Sequence, residues 1–162
     1  EGDHITLLNV YNAFLQHGNR GKRWCHENLL NYKGLCRAIE IRNQLERMLT
    51  KFNVKMKSCG QDMENLLKCI TVGFFANAAR LHYSGEYRTV KDDHVLSIHP
   101  TSVLYAQDPL PKCLVFNEVV HTTREFMRDV TVIQPEWLYE LAPHYYQYGT
   151  DRELAMKRLK TQ

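Results

Sequence analysis

The chain has 162 residues, 44% of them hydrophobic and 10% aromatic, which excludes a disordered or low-complexity chain and allows one ordinary core or two small ones. No apolar run approaches the roughly 20 residues that cross a bilayer, so a membrane-spanning helix is excluded. The net charge of +3 is unevenly placed: residues 20–57 carry ten Lys or Arg against three acids, whereas 1–19 and 58–162 each sum to −2. A basic block on a near-neutral background suits a polyanion partner; a solvated helix surface accounts for the same count. The five cysteines are odd in number, contain no CxxC, and occur without any Asn-x-Ser/Thr site. That usage fits free thiols in a reducing intracellular compartment. The chain opens Glu1-Gly2-Asp3 with no leader pattern and reads as a piece of a longer one.

In chain order, apolar residues at 7, 8, 11, 14 and 15 predict a helix over Ile5–Gln16, with Gly18 as its stop. The loop Gly18-Asn19-Arg20-Gly21-Lys22-Arg23 lacks the GxxxxGK[ST] spacing and a preceding strand, so it reads as a basic turn and not a phosphate loop. Trp24–Tyr32 reads as a short helix. Gly34–Phe52 is the longest, with Leu35, Ala38, Ile39, Arg42, Leu45, Leu49 and Phe52 along one side and Lys33, Arg37 and Arg47 on neighbouring faces. Arg42 reads either as a snorkelling residue at a core edge or as a guanidinium aimed at a phosphate or base. Asp62 caps a further helix, Met63–His82, whose apolar stripe is core packing.

At Ser84-Gly85 the pattern turns strand-like. Tyr87–Val90 and His94–His99 predict a hairpin around Lys91-Asp92-Asp93. In Leu114–Val119, Leu114, Phe116 and Glu118 alternate with Val115, Asn117 and Val119; in Phe126–Ile133, Phe126, Arg128, Val130 and Val132 share a face. Short apolar runs between Pro-containing breaks are buried best in a small closed antiparallel sheet. Polar groups at His99, Thr101, Ser102, His121, Thr122, Thr123, Arg124 and Arg128 stand near its strand ends. Pro135 opens a short helix over Glu136–Leu141, and Asp151–Gln162 is a charged extension.

No GxSxG, no HExxH (His26 begins HENLL) and no regular Cys/His spacing is present, so no catalytic residue and no metal ligand is assigned. A small barrel binds single strands along one sheet face with basic and aromatic side chains. Tyr87, Phe116 and Phe126 are the aromatic candidates, with core as the alternative for each.

The strings GDHITLLNVYNAF, WCHENLLNYKGLCRAIEIRNQL, GFFANAARL, YRTV, VLSIHPTSVL, LVFNEVVHTTREFMRDVT and PEWLYELAP, in that order, resemble the C-terminal region of DEAH-box RNA helicases, particularly the pre-mRNA splicing group. The resemblance runs from Gly2 to about Pro143. It implies an α+β chain: the end of a helix-bundle, ratchet-like domain at 1–82, a small antiparallel OB-type β-barrel at 83–149, and a charged extension at 150–162. It further implies two RecA-like domains upstream that hold ATP with Mg2+, since this stretch has neither GxxxxGK[ST] nor Asp-Glu-Ala-His. It implies a channel for single-stranded RNA, nuclear localisation, and protein partners that include G-patch-type activators in some members and spliceosomal proteins.

By matching position, the family's Asn-Phe-Leu-x-x-Arg-Ser-Leu stands here as Asn28 to Leu35, with Lys33 in place of Arg, a point charge for a planar fork. His-Pro-Ser-Ser stands as His99-Pro100-Thr101-Ser102, and Thr-Thr-Lys-x-Tyr-Met-Arg as Thr122 to Arg128, with Phe126 for Tyr. The resulting expectation is that Lys33, Arg37 and Arg42 from the helical half, and His99, Ser102, Thr123, Arg124 and Arg128 from the barrel, contact RNA phosphate and sugar without regard to sequence. The rival expectation is a scaffold that docks activators or spliceosomal proteins without binding RNA.

Overall fold

The computed structural model of the chain describes residues 1–146; the charged extension at 150–162 lies outside the described residues. The elements are α1 (Asp3–His17), a 3-10 turn (Gly18–Arg20), α2 (Gly21–Glu27), α3 (Tyr32–Lys51), α4 (Met63–Phe74), β1 (Ala78–Leu81), β2 (Tyr87–Thr89), β3 (Val95–Ile98), β4 (Cys113–His121), β5 (Glu125–Val132) and α5 (Pro135–Leu141). They fall into two compact units, Ile5–Gln61 and Asp62 onward with Glu1–His4. The units divide at 61/62, where the sequence reading put the border at 82/83, because α4 packs on the barrel and not in the helical unit.

In the helical unit, Phe14 is buried and takes the edge of Tyr32 at a centroid distance of 5.9 Å, while His17 stacks on Trp24 at 4.8 Å. Gly21 lies so close to the Phe14 ring that an added Cβ would sit 2.7 Å from it, which is why glycine opens α2. The Asn31 side chain accepts from the Gly34 amide at 3.0 Å and satisfies one of the orphan donors at the start of α3. No residue of α3 is buried.

In the second unit the Asp62 carboxylate accepts from the Asn65 amide, as a helix cap should, and α4 ends at Phe74. The expected continuation to His82 is wrong: Ala78–Leu81 is a strand, paired with both β2 and β4. Ala-Ala-Arg-Leu favours a helix intrinsically, but propensity is a weak prior against two ladders of backbone hydrogen bonds. The alanines fit because Ala79 faces the barrel interior and Ala78 the packed outer layer, each almost fully buried.

The strands close in the order β1-β2-β3-β5-β4. The barrel is therefore mixed and not wholly antiparallel as expected: strand directions that alternate around a ring cannot close with an odd number of strands. The single parallel pair is β3 with β5, Ser97 opposite Phe126. β3 covers only the start of β5, and the free edge further along β5 is taken by the chain start, where Gly2 bridges Thr131 and Val132 donates to the Glu1 carbonyl. Leu114, Phe116, Leu96, Ile98, Met127 and Val130 fill the interior. Cys113, Val115, Trp137 and Leu138 form a second core outside the barrel, packed with α4 residues Leu67, Ile70 and Phe74. This two-sided burial explains the unbroken apolar run at the start of β4. Burial of each such side chain stabilises by about 1.5–3 kcal/mol.

Alternation along β5 does not hold as the sequence suggested. Val130 and Met127 both point inward, whereas Phe126 and Arg128 do not join the interior. The shift falls at Asp129, whose φ of +55° turns the strand out of its pleat.

Candidate nucleic-acid interface

The strand order, the short β1–β2 connection and the β4–β5 turn are those of the barrel type whose β2–β3 face and adjoining loops take oligonucleotides and oligosaccharides. A cleft of about 490 Å³ lies at that position. Its lining comes from the β1–β2 loop (Gly85, Glu86), β2 (Tyr87), β3 (Val95–Ile98), the β3–β4 loop (Tyr105, Leu110) and the β4–β5 turn with the start of β5 (Arg124, Glu125). Val95, Tyr105 and Leu110 are exposed, so the cleft offers water an apolar wall that a flat ligand would cover.

Its charge is organised around Glu125. That carboxylate meets the His121 Nδ1 at 2.7 Å and the His94 Nε2 on its other oxygen. Arg88 is paired with Asp93 at 3.1 Å and stands 3.8 Å from Glu86. Arg124 is exposed and has no ion-pair partner among the described residues. A guanidinium so placed presents a planar fork that matches phosphate geometry.

Within the barrel unit the five expected contact residues do not form one cluster. Thr123 and Arg124 sit on the exposed β4–β5 turn, with Arg124 on the cleft. His99 lies beyond the far end of β3, its ring bonded to the Thr101 hydroxyl at 2.7 Å and set edge-on to Phe126 at 5.5 Å. Ser102 is buried and its hydroxyl accepts from the Leu104 amide, a turn-holding role that withdraws it from a ligand. Arg128 pairs with Glu118 across β4 at 3.3 Å; an exposed pair stabilises by no more than about 1 kcal/mol, so a phosphate oxygen can displace Glu118.

On α3, Lys33 and Arg37 are exposed one turn apart. At 3.6 residues per turn Arg42 stands about 180° around the helix from Lys33, and it is tied to Glu46 at 2.8 Å. Arg47 and Lys51 continue the Lys33–Arg37 stripe; Arg42 does not. The exposure of Ile41, Leu45, Met48 and Phe52 leaves an apolar ridge on a different face of the same helix.

Sequence reasoning missed Tyr105, Glu86, His94 and Glu125. They stand on loops and strand ends where no periodicity marks them, and only closure of the barrel brings them together. Of its aromatic candidates, Tyr87 and Phe116 are core residues. Tyr87 donates to the Pro111 carbonyl at 2.7 Å, and burial pushes its phenol up to about 12. Among the described residues no group of three or more His, Cys, Asp or Glu is arranged to hold a metal ion.

Barrel and cleft together define an OB-fold. A family model described as an oligonucleotide/oligosaccharide-binding (OB)-fold matches residues 66–145. The chain is also 55% identical over its whole length to the probable ATP-dependent RNA helicase DHX35 of Homo sapiens, covering 23% of that protein. It is 57% identical over 93% of its length to the DHX35 of Pongo abelii, covering 21%, and 46% identical over 99% to the Caenorhabditis elegans homolog, covering 22%. The chain thus spans less than a quarter of the curated relatives it matches. Along its whole length the chain is thus similar to one part of DEAH-box ATP-dependent RNA helicases, the family its sequence resembles.

Proposed function

We propose that this chain supplies part of the single-stranded RNA path of an ATP-dependent RNA helicase that acts in the nucleus in pre-mRNA splicing. The observation that carries the reading is the cleft on the ligand-binding face of an OB-fold, with Arg124, which has no ion-pair partner among the described residues, at its rim. The Lys33–Arg37 stripe of α3 gives the helical unit a cationic surface of its own for a phosphate backbone. Their role is contact with phosphate and sugar, which suits a motor that moves over any sequence. ATP and Mg2+ act in RecA-like domains outside these residues, and G-patch-type activators or spliceosomal proteins are the protein partners.

The test is fluorescence anisotropy of labelled oligo-U and a matched hairpin, repeated at several salt concentrations. The single strand should bind preferentially, and log affinity should fall with log salt by about 0.7 per phosphate contacted. Arg37→Ala with Arg124→Ala should weaken binding about tenfold and flatten the slope by about 1.4, two contacts' worth. An unchanged affinity in the double variant would remove these residues from the site.

The apolar ridge of α3 favours a second reading, in which the helical unit docks a protein without RNA. Absence of oligo-U binding at the lowest salt, with salt-insensitive capture of a partner, would establish that reading instead.

A further inference from the structure

A cleft made only for phosphate would be lined by donors. This one has an apolar wall, one cation, Arg124, that has no ion-pair partner among the described residues, and two carboxylates, Glu86 and Glu125, of which Glu125 is fixed in place. Glu125 is half-buried and is held by an imidazole on each oxygen, His121 at 2.7 Å on one and His94 on the other. An ionised carboxylate has about four lone-pair positions. Two imidazoles therefore leave each oxygen one position to accept a further hydrogen bond, with the orientation already set. Tyr105, exposed on the β3–β4 loop, brings an aromatic face to the same cleft. Arg124 brings the cation. An aromatic face, a phosphate-binding guanidinium and an acceptor-only edge are together the requirements of one unstacked nucleotide.

The acceptor edge also selects the base. A carboxylate is matched by two adjacent N–H donors. Guanine presents such a pair, N1–H beside the N2 amino group. Cytosine and adenine set a ring-nitrogen acceptor beside their amino group, and uracil flanks its single N3–H with two carbonyls. Each of those turns a lone pair toward one carboxylate oxygen.

We propose that this cleft is a guanine subsite for single-stranded RNA, with the base stacked on Tyr105, its N1–H and N2 amino group donating to Glu125, and the adjoining phosphate held by Arg124. The proposal rests on the RNA-binding reading above. It adds a preference at one position to contacts that otherwise ignore sequence.

The experiment compares three labelled nonamers on the full chain at one low salt concentration: U9, U4-G-U4, and the same strand with inosine, which lacks the N2 amino group, in place of guanosine. The guanosine strand should bind about five- to tenfold more tightly than U9, as a good bidentate pair allows, and inosine should lose most of that gain. Glu125→Gln should bring the ratio of the two affinities to about one. Tyr105→Ala should weaken the guanosine strand, and Tyr105→Phe, which keeps the ring, should restore it. Equal binding of U9 and U4-G-U4 with a steep salt slope would overturn the guanine subsite and leave the RNA-binding reading standing. No binding of any strand would overturn both. A guanosine preference that survives both inosine and Glu125→Gln would overturn the assignment to Glu125. The inosine comparison changes no protein residue, so it decides the matter even where a variant folds poorly.

Discussion

Asp3 shows how much one side chain near the chain start contributes. It is buried, and its two carboxylate oxygens accept from the Val103 amide at 2.9 Å and the Val130 amide at 2.7 Å, which ties the start of α1 to the β3–β4 loop and to β5. Asp3→Ala leaves both donors unmatched, one in the core and one half-buried, at about 1–3 kcal/mol each. Urea unfolding followed by tryptophan fluorescence should therefore show a loss of about 2–4 kcal/mol, and Asp3→Asn, which keeps one acceptor oxygen, about half of it. A loss below about 1 kcal/mol would mean that water replaces the carboxylate. Next to it, His4 bonds the Thr131 hydroxyl at 2.6 Å through Nδ1, and burial lowers its imidazole below the usual 6.5, against the opposing pull of Asp129 and Asp3. The unfolded chain therefore takes up a proton on this residue at a pH where the folded chain does not. Stability should be unaffected by His4 above pH 6.5, fall as the pH drops below it, and level off once the folded imidazole also protonates. Melting temperatures measured between pH 7.5 and 5 should show that fall, and His4→Gln should reduce it. An identical pH profile in the variant would assign the effect to other groups.

At the scale of the element, β5 carries the least expected feature. Asp129, at φ +55°, lets Met127 and Val130 both face the barrel interior. Asp tolerates that conformation better than most residues, and a β-branched side chain tolerates it worst. Asp129→Val should cost about 1–2 kcal/mol in urea unfolding, while Asp129→Gly should be near neutral because relief of the backbone offsets the added chain entropy. Equal losses in both variants would locate the cost in the Asp129 side chain, which sits 3.5 Å from the Asn117 amide nitrogen, and not in the backbone. The sequence reading could not see this kink, because strict period two is the only signal a strand gives. It found α1, α3, α5 and the β2–β3 and β4–β5 pairs, where periodicity and turn residues agree. It lost β1, where alanines that favour a helix are held in a strand by neighbours from elsewhere in the chain. It assumed an antiparallel sheet, although a count of five strands already requires a parallel pair on closure. Arg124 on the cleft was legible from its block of turn residues. Tyr105 and Glu125 were not, because what makes them a site is a juxtaposition that no local pattern encodes.

For the whole molecule, the two units differ sharply in how much apolar surface they remove from water. Asp62 onward holds two cores, one inside the barrel and one beneath α4 and α5. Of the large hydrophobic side chains in Ile5–Gln61, the buried ones are Ile5 and Phe14, with Cys25 the further apolar residue buried there. α3, at 20 residues the longest helix described, buries none, and Phe52 at its end is 70% exposed. Caps and exposed i,i+4 pairs such as Arg23–Glu27 and Arg42–Glu46 add only about 0.3–0.5 kcal/mol per pair. Local stability follows buried contacts, so amide protection should be unequal along the chain. Hydrogen exchange read by mass spectrometry should show α3 exchanging orders of magnitude faster than β4 and β5, and denaturant unfolding should depart from a single transition. Uniform protection would mean that the helical unit is held by more than its own core. The inequality bears on binding too. The Lys33–Arg37 stripe stands on the weaker unit, so a strand that bound it would have to hold α3 in order. A ligand that binds only the folded form stabilises it by mass action, so saturating oligo-U should slow exchange in α3 far more than in β4. Slowing confined to the barrel would mean that RNA uses the cleft alone, and the α3 stripe would then be a solvated face.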